Sequence, residues 1–126
     1  MKPFFPFLWA GCGGFLGAAL RYGLGTLASA RLGTFGFVWG TFSVNVLGSF
    51  AIGFFAPFWA EGNPRRVFVI TGLLGGFTTF SSFSSDTLRL LQTGRPLAAF
   101  CYALGSVAFG LAAAWGGYLL HGGLFK

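Results

Sequence analysis

Charge-free segments divide this chain into blocks. Charged residues stand only at Lys2, Arg21, Arg31, Glu61, Arg65, Arg66, Asp86, Arg89, Arg95 and Lys126, leaving uncharged runs at 3–20, 32–60, 67–85 and 96–125. Each run is long enough for a membrane-crossing helix of about 20 residues. The pattern predicts an all-α membrane protein with spans at about 4–27, 35–59, 66–91 and 97–120. Asn63-Pro64 and Thr93-Gly94-Arg95-Pro96 mark the turns on either side of the third span. The loops are too short to hold a soluble unit, so residues 1–126 read as one transmembrane domain.

The third span is irregular. From Gly75 to Phe83 it reads Gly-Gly-Phe-Thr-Thr-Phe-Ser-Ser-Phe, poor material for a regular lipid-facing helix, and the pattern predicts a break at Gly75–Thr79. Non-helical backbone at membrane depth is tolerated only where protein buries it or where it lines a polar cavity. Ion sites often occupy such breaks. In the other spans, Gly13 and Gly17 offer a small-xxx-small face for close helix contact. Thr41, Asn45 and Ser49 fall at i, i+4, i+8 on one face, and Tyr102 and Ser106 at i, i+4 on another. Arg21, about 25 Å along the first helix from Phe4, is expected near an interface.

Composition strengthens the membrane reading: 55% of residues are hydrophobic, 8% are charged and mean hydropathy is +0.75, far from a soluble balance. A cleaved or lipidated leader ending near Cys12 is disfavoured, because the apolar run carries Pro3 and Pro6 and continues past the cysteine. Cys12 and Cys101 both lie within spans and are expected to be buried free thiols. The net charge of +6 does not indicate nucleic-acid binding, since the basic residues stand mostly at span ends as interfacial anchors. With four spans, Lys2, Arg65, Arg66 and Lys126 fall on one side and Arg21, Arg31, Arg89 and Arg95 on the other. So even a balance specifies orientation weakly, and insertion both ways round would allow an antiparallel homodimer.

The polar groups within the spans are hydroxyls, one amide and a phenol, with almost no carboxylate. Glu61 falls in a loop, Asp86 towards the end of its span and His121 at the extreme end of the last. A cation or proton pathway would be expected to use buried acids or histidines. Hydroxyl and amide donors in an uncharged cavity suit an anion instead. Phenylalanine ring edges carry partial positive charge, and Phe77, Phe80 and Phe83 recur every three residues. Each residue has an ordinary alternative. Asn45 could be interhelical glue, the Ser and Thr hydroxyls could bond back to their own helices, the phenylalanines could be packing, and Asp86 could neutralise Arg89 at i+3.

The joint pattern resembles the Fluc (CrcB) family of small dual-topology fluoride channels over nearly the full length. The match is carried by Gly13-Gly-Phe-Leu-Gly-Ala-Ala-Leu-Arg-Tyr22, Gly40-Thr-Phe-Ser-Val-Asn-Val-Leu-Gly-Ser-Phe50, Gly75 to Phe83, and Tyr102 to Ser106. The resemblance implies an antiparallel homodimer in the bacterial inner membrane, with two pores along the subunit interfaces passing fluoride passively. It also implies a structural sodium ion at the dimer's centre. Carried over by motif, Phe80 and Phe83 look like the paired pore phenylalanines, with Asn45 beside them and Thr41 a vestibule hydroxyl one turn earlier. Ser81, Tyr102 and Ser106 resemble the polar track, and Arg21 the vestibule arginine. Gly75 and Thr78 look like backbone carbonyl ligands to sodium. Three departures stand out: Gly110 where a further track hydroxyl is frequent, Ser82 for a frequent Thr, and Asp86 for a frequent Glu.

Other classes fit less well. A small multidrug exporter would be expected to need a membrane-embedded carboxylate, which the first span lacks. A purely structural membrane protein would explain the glycines but not the polar break. An enzyme would need a cluster of acid, base, nucleophile or metal ligands, and one terminal His with two separated Cys cannot supply it.

Overall fold

A computed structural model describes residues 3–125, all of it helix and short connections, with no strand among them. Lys2 and Lys126, assigned above to one side of the membrane, lie outside the described residues. Three helical runs are long and apolar enough to cross a membrane: Phe5–Phe58, Pro64–Gln92 and Pro96–Leu124. The first is folded back on itself. Helix α1 (Phe5–Leu32) ends at Gly33, whose φ of 66° is the left-handed region that glycine adopts at little cost. A one-turn 3₁₀ helix (Gly33–Phe35) leads into α2 (Gly36–Phe55). The reversal brings Gly40 against Gly25, where a Cβ on Gly40 would lie 3.2 Å from the Gly25 Cα.

Element starts follow local chemistry. Asn63 caps the next helix, its side chain accepting from the Arg65 N–H at 2.9 Å, and Pro64 takes the first turn, where a missing N–H costs nothing. This helix, α3 (residues 64–77), is α-helical at its ends and π-helical over Val67–Leu74. Thr78 and Thr79 are extended, and α4 (Phe80–Gln92) resumes the run. Pro96 opens α5 (Pro96–Leu124). The first helix therefore reaches about a turn further than the sequence pattern suggests. The break is narrower than expected, because Gly75 to Phe77 stay helical and only the two threonines leave the helix. The π-helical stretch has no counterpart in the sequence expectation.

Helices meet through glycine rather than through large side chains. A Cβ at Gly17 would strike the Leu73 carbonyl oxygen and lie 2.7 Å from the Phe77 nitrogen, so α1 and α3 touch backbone to backbone. Gly53 and Gly117 do the same between α2 and α5, against Ala114 and Phe50. Such close approach is how helices associate where burial of apolar surface no longer drives packing. Correspondingly few large side chains are buried. Val44 at 1% and Leu90 at 3% are inside, whereas Phe15, Leu111 and many others point outward. Cys12 and Cys101 are free but exposed on the chain's surface, contrary to the expected burial. Lying within a span does not place a side chain inside the protein when the outer face is itself apolar.

Candidate functional site

The break is held open by side chains from other helices. Asn45 on α2 grips the Thr79 peptide at both ends: its Oδ1 accepts from the Thr79 N–H at 2.7 Å, and its Nδ2 donates to the Thr79 carbonyl at 3.0 Å. In an unbroken helix the Thr79 N–H would bond the Gly75 carbonyl four residues back. Likewise the Ser82 N–H, the helical partner of the Thr78 carbonyl, is taken by Thr79 Oγ1 at 3.0 Å, which caps α4. The carbonyls of Gly75 and Thr78 thus both lose their helical donors to side-chain acceptors. Thr78 Oγ1 turns back to the Leu74 carbonyl at 2.9 Å. Arg21 reaches the same place from α1, donating from Nε to the Gly76 carbonyl at 3.1 Å and from Nη1 to Ser82 Oγ at 3.4 Å. It stands beside the break, not at an end of the longer α1.

Two grooves meet at Thr79, which lines both. One, of about 360 Å³, holds Arg21, Thr41, Ser82 and Asp86. Thr41 Oγ1 donates to Asp86 Oδ2 at 2.6 Å, and the Tyr102 hydroxyl donates to the same oxygen at 3.3 Å. Asp86 therefore ties α2, α4 and α5 together. It is not bonded to Arg89, whose guanidinium sits 4.3 Å over the Phe37 ring. The other groove, of about 220 Å³, holds Asn45, Ser49, Phe80, Phe83, Ser106 and Gly110. Here the Phe80 and Phe83 rings lie 5.4 Å apart between centroids, and Phe83 is 5.3 Å from the Tyr102 ring. The Ser106 hydroxyl is buried without a hydrogen-bond partner among the described residues. Asn45 has a second amide hydrogen beyond the one given to Thr79.

Most residues singled out from the sequence converge on these grooves. Asn45, Phe80, Phe83 and Ser106 share one, and Arg21 and Thr41 the other, with Tyr102 reaching between them through Phe83 and Asp86. Ser81 lines neither; its hydroxyl is 3.1 Å from Thr79 Oγ1. Three groove residues are not expected from the sequence: Asp86, Thr79 and Ser49. For Thr79 the available signal was a hydroxyl inside the predicted break, and for Ser49 its place one turn beyond Asn45. The partners of Asp86 come from two other helices, and no local spacing could announce them.

Long apolar helices around a polar break, with hydroxyl and amide donors converging on it, define a multi-pass membrane protein. Residues 8–118 match the family model described as CrcB-like protein, Camphor Resistance (CrcB), and the chain belongs to that family. It is 50% identical over 121 residues to a protein of Thermus thermophilus, covering 94% of this chain and 96% of that one. It is 47% identical over 111 residues to one of Helicobacter pylori, covering 85% of each. Both relatives carry the name fluoride-specific ion channel FluC.

Proposed function

We propose that this chain forms a fluoride-selective passive channel in a bacterial inner membrane, built as an antiparallel, dual-topology homodimer with two pores. The observation that carries the reading is an incomplete groove. The Gly75 and Thr78 carbonyls have lost their helical donors, Gly75 and Ser81 are exposed, and the exposed Phe80 leaves the groove open beside them. At membrane depth such a surface must be covered by protein. A second copy of the chain covers it and closes each groove into a pore at the interface. The folded-back run supplies two crossings, making four spans in all.

In each pore the anion enters beside Arg21 and Ser82, passes Thr79 and the free amide hydrogen of Asn45, and runs along the Phe80 and Phe83 ring edges to the Ser106 hydroxyl. Each donor replaces a hydrogen bond that water gave the ion. The Gly75 and Thr78 carbonyls suit the resident sodium ion of the dimer. Hard cations take oxygen ligands, and these two oxygens have been stripped of their helical donors by Asn45 and Thr79. Sodium would supply a fixed positive charge at the dimer's centre.

The test is passive efflux from liposomes containing purified dimer, followed with fluoride- and chloride-selective electrodes. Fluoride release without chloride release and without a pH gradient is the expected result. Release of both ions would overturn selectivity, and release of neither would overturn the channel.

A further inference from the structure

The groove beside the phenylalanines has, besides Ser106, a second hydroxyl that no group among the described residues uses. Ser49 stands one helical turn beyond Asn45 on α2 and lines the same groove. Many hydroxyls in this chain are consumed by their own helices: Thr26, Thr78, Ser84, Thr87 and Thr93 all donate to carbonyls three or four residues back. Ser49 does not. Across the groove on α5, Ser106 buries an unpartnered hydroxyl, and one turn further along stands Gly110, which has none. A Cβ built on Gly110 would lie 3.7 Å from Ser49 Oγ, in ordinary contact. The Ser49 hydroxyl therefore occupies the edge of the space that a side chain at position 110 would enter.

We infer that Ser49 supplies, from α2, the hydrogen-bond donor that α5 lacks at Gly110, so that the donor line of the pore continues past Ser106 instead of ending there. The inference rests on the fluoride-channel reading of this groove. An anion leaving Ser106 with no further donor would face a bare apolar stretch, and losing one hydrogen bond to a charged group lowers throughput about tenfold or more. Gly110 leaves room for the Ser49 hydroxyl to turn between its neighbours along the groove.

The experiment compares fluoride efflux from liposomes containing wild type, Ser49→Ala, Gly110→Ser and the double variant Ser49→Ala/Gly110→Ser, each purified as a dimer. The expected result is a fall of about tenfold for Ser49→Ala and recovery to within about threefold of wild type in the double variant, where the hydroxyl returns from the opposite helix. Gly110→Ser alone gives the baseline against which the double variant is read. If Ser49→Ala fails to give a dimer, Ser49→Cys, close in size but a weak donor, replaces it in both the single and the double variant. Wild-type efflux from Ser49→Ala would overturn the inference while leaving the channel intact. Loss of efflux that Gly110→Ser does not rescue would also overturn it, because a donor would then be back in the groove without restoring conduction. Wild-type liposomes silent for fluoride would remove the channel reading, and this role with it.

Discussion

Asn45 has two duties that a single substitution can separate. Its amide satisfies both polar ends of the Thr79 peptide, and Thr79 is only 9% exposed. Asn45→Ala leaves a buried N–H and C=O unpaired, at about 1–3 kcal/mol for such a group. The variant should melt several degrees lower in detergent and, if the proposed channel reading holds, conduct no fluoride. Asn45→Asp keeps the acceptor for the Thr79 N–H but sets a second carboxylate oxygen against the Thr79 carbonyl and places a negative charge in the groove. Efflux abolished in protein that still elutes as wild type does on size exclusion is the expected signature of the pore role; equal efflux from Asn45→Asp and wild type would refute it. Phe80 tests the ring-edge contribution alone. Because it is 78% exposed on the single chain, Phe80→Ile removes little packing within the chain, yet efflux should fall by about tenfold or more if its edge faces the ion. Dimer retention on size exclusion distinguishes this from lost assembly. That these residues share a groove was partly legible in the sequence, since Asn45 and the phenylalanines stand out as an amide and a spaced aromatic set in apolar surroundings. The Thr79 clamp was not, because it depends on which peptide leaves the helix, and two adjacent threonines give no sign of which bonds their backbone will surrender.

At the scale of elements, glycine positions decide how closely the helices pack. On α1, a methyl at Gly17 meets the backbone of Leu73 and Phe77, whereas one at Gly23 meets nothing within 4 Å. Gly17→Ala should therefore destabilise by about 1–3 kcal/mol through forced separation of α1 and α3. Gly23→Ala should be neutral or slightly stabilising, since alanine is the better helix former. A thermal melt of the pair reads the difference, and equal melting points would mean that α1 and α3 do not pack as described. The restart of α4 depends on Thr79 Oγ1 accepting from the Ser82 N–H at 3.0 Å. Thr79→Val keeps the shape and loses the cap, a cost of about 1 kcal/mol that the same assay measures. Helix positions were readable from charge-free runs, and helix starts from Asn63-Pro64 and Pro96, because chemistry local in sequence fixes both. The π-helical turns over Val67–Leu74 were not readable. They arise from a shift in carbonyl partner that leaves residue types unchanged, as where the Gly75 N–H reaches the Ile70 carbonyl five residues back.

For the whole molecule the question is orientation. At one end of the described structure, Arg66 donates to the Ala56 carbonyl at 2.6 Å beside Arg65. At the other, Arg31 closes α1 while Arg89 and Arg95 stack on Phe37 and Phe35 of the adjoining hairpin. Arg21 belongs to neither end, because its guanidinium is bound at the break. Moving it inward changes the sequence-based balance only slightly, and Lys and Arg near span ends are what set orientation. Two opposed variants should therefore each lock the chain one way: Ala60→Lys/Glu61→Lys at the first end, and Thr34→Lys/Gln92→Lys at the second, all at exposed positions. If a pore needs two antiparallel copies to cover the open groove at Phe80, either variant alone should fail to protect cells that lack their own fluoride exit, and co-expression of both should restore protection. Full protection by each variant alone would show that one orientation suffices. In that case some other surface would have to cover the break, because the exposed Gly75, whose carbonyl has lost its helical donor, cannot face lipid in either orientation.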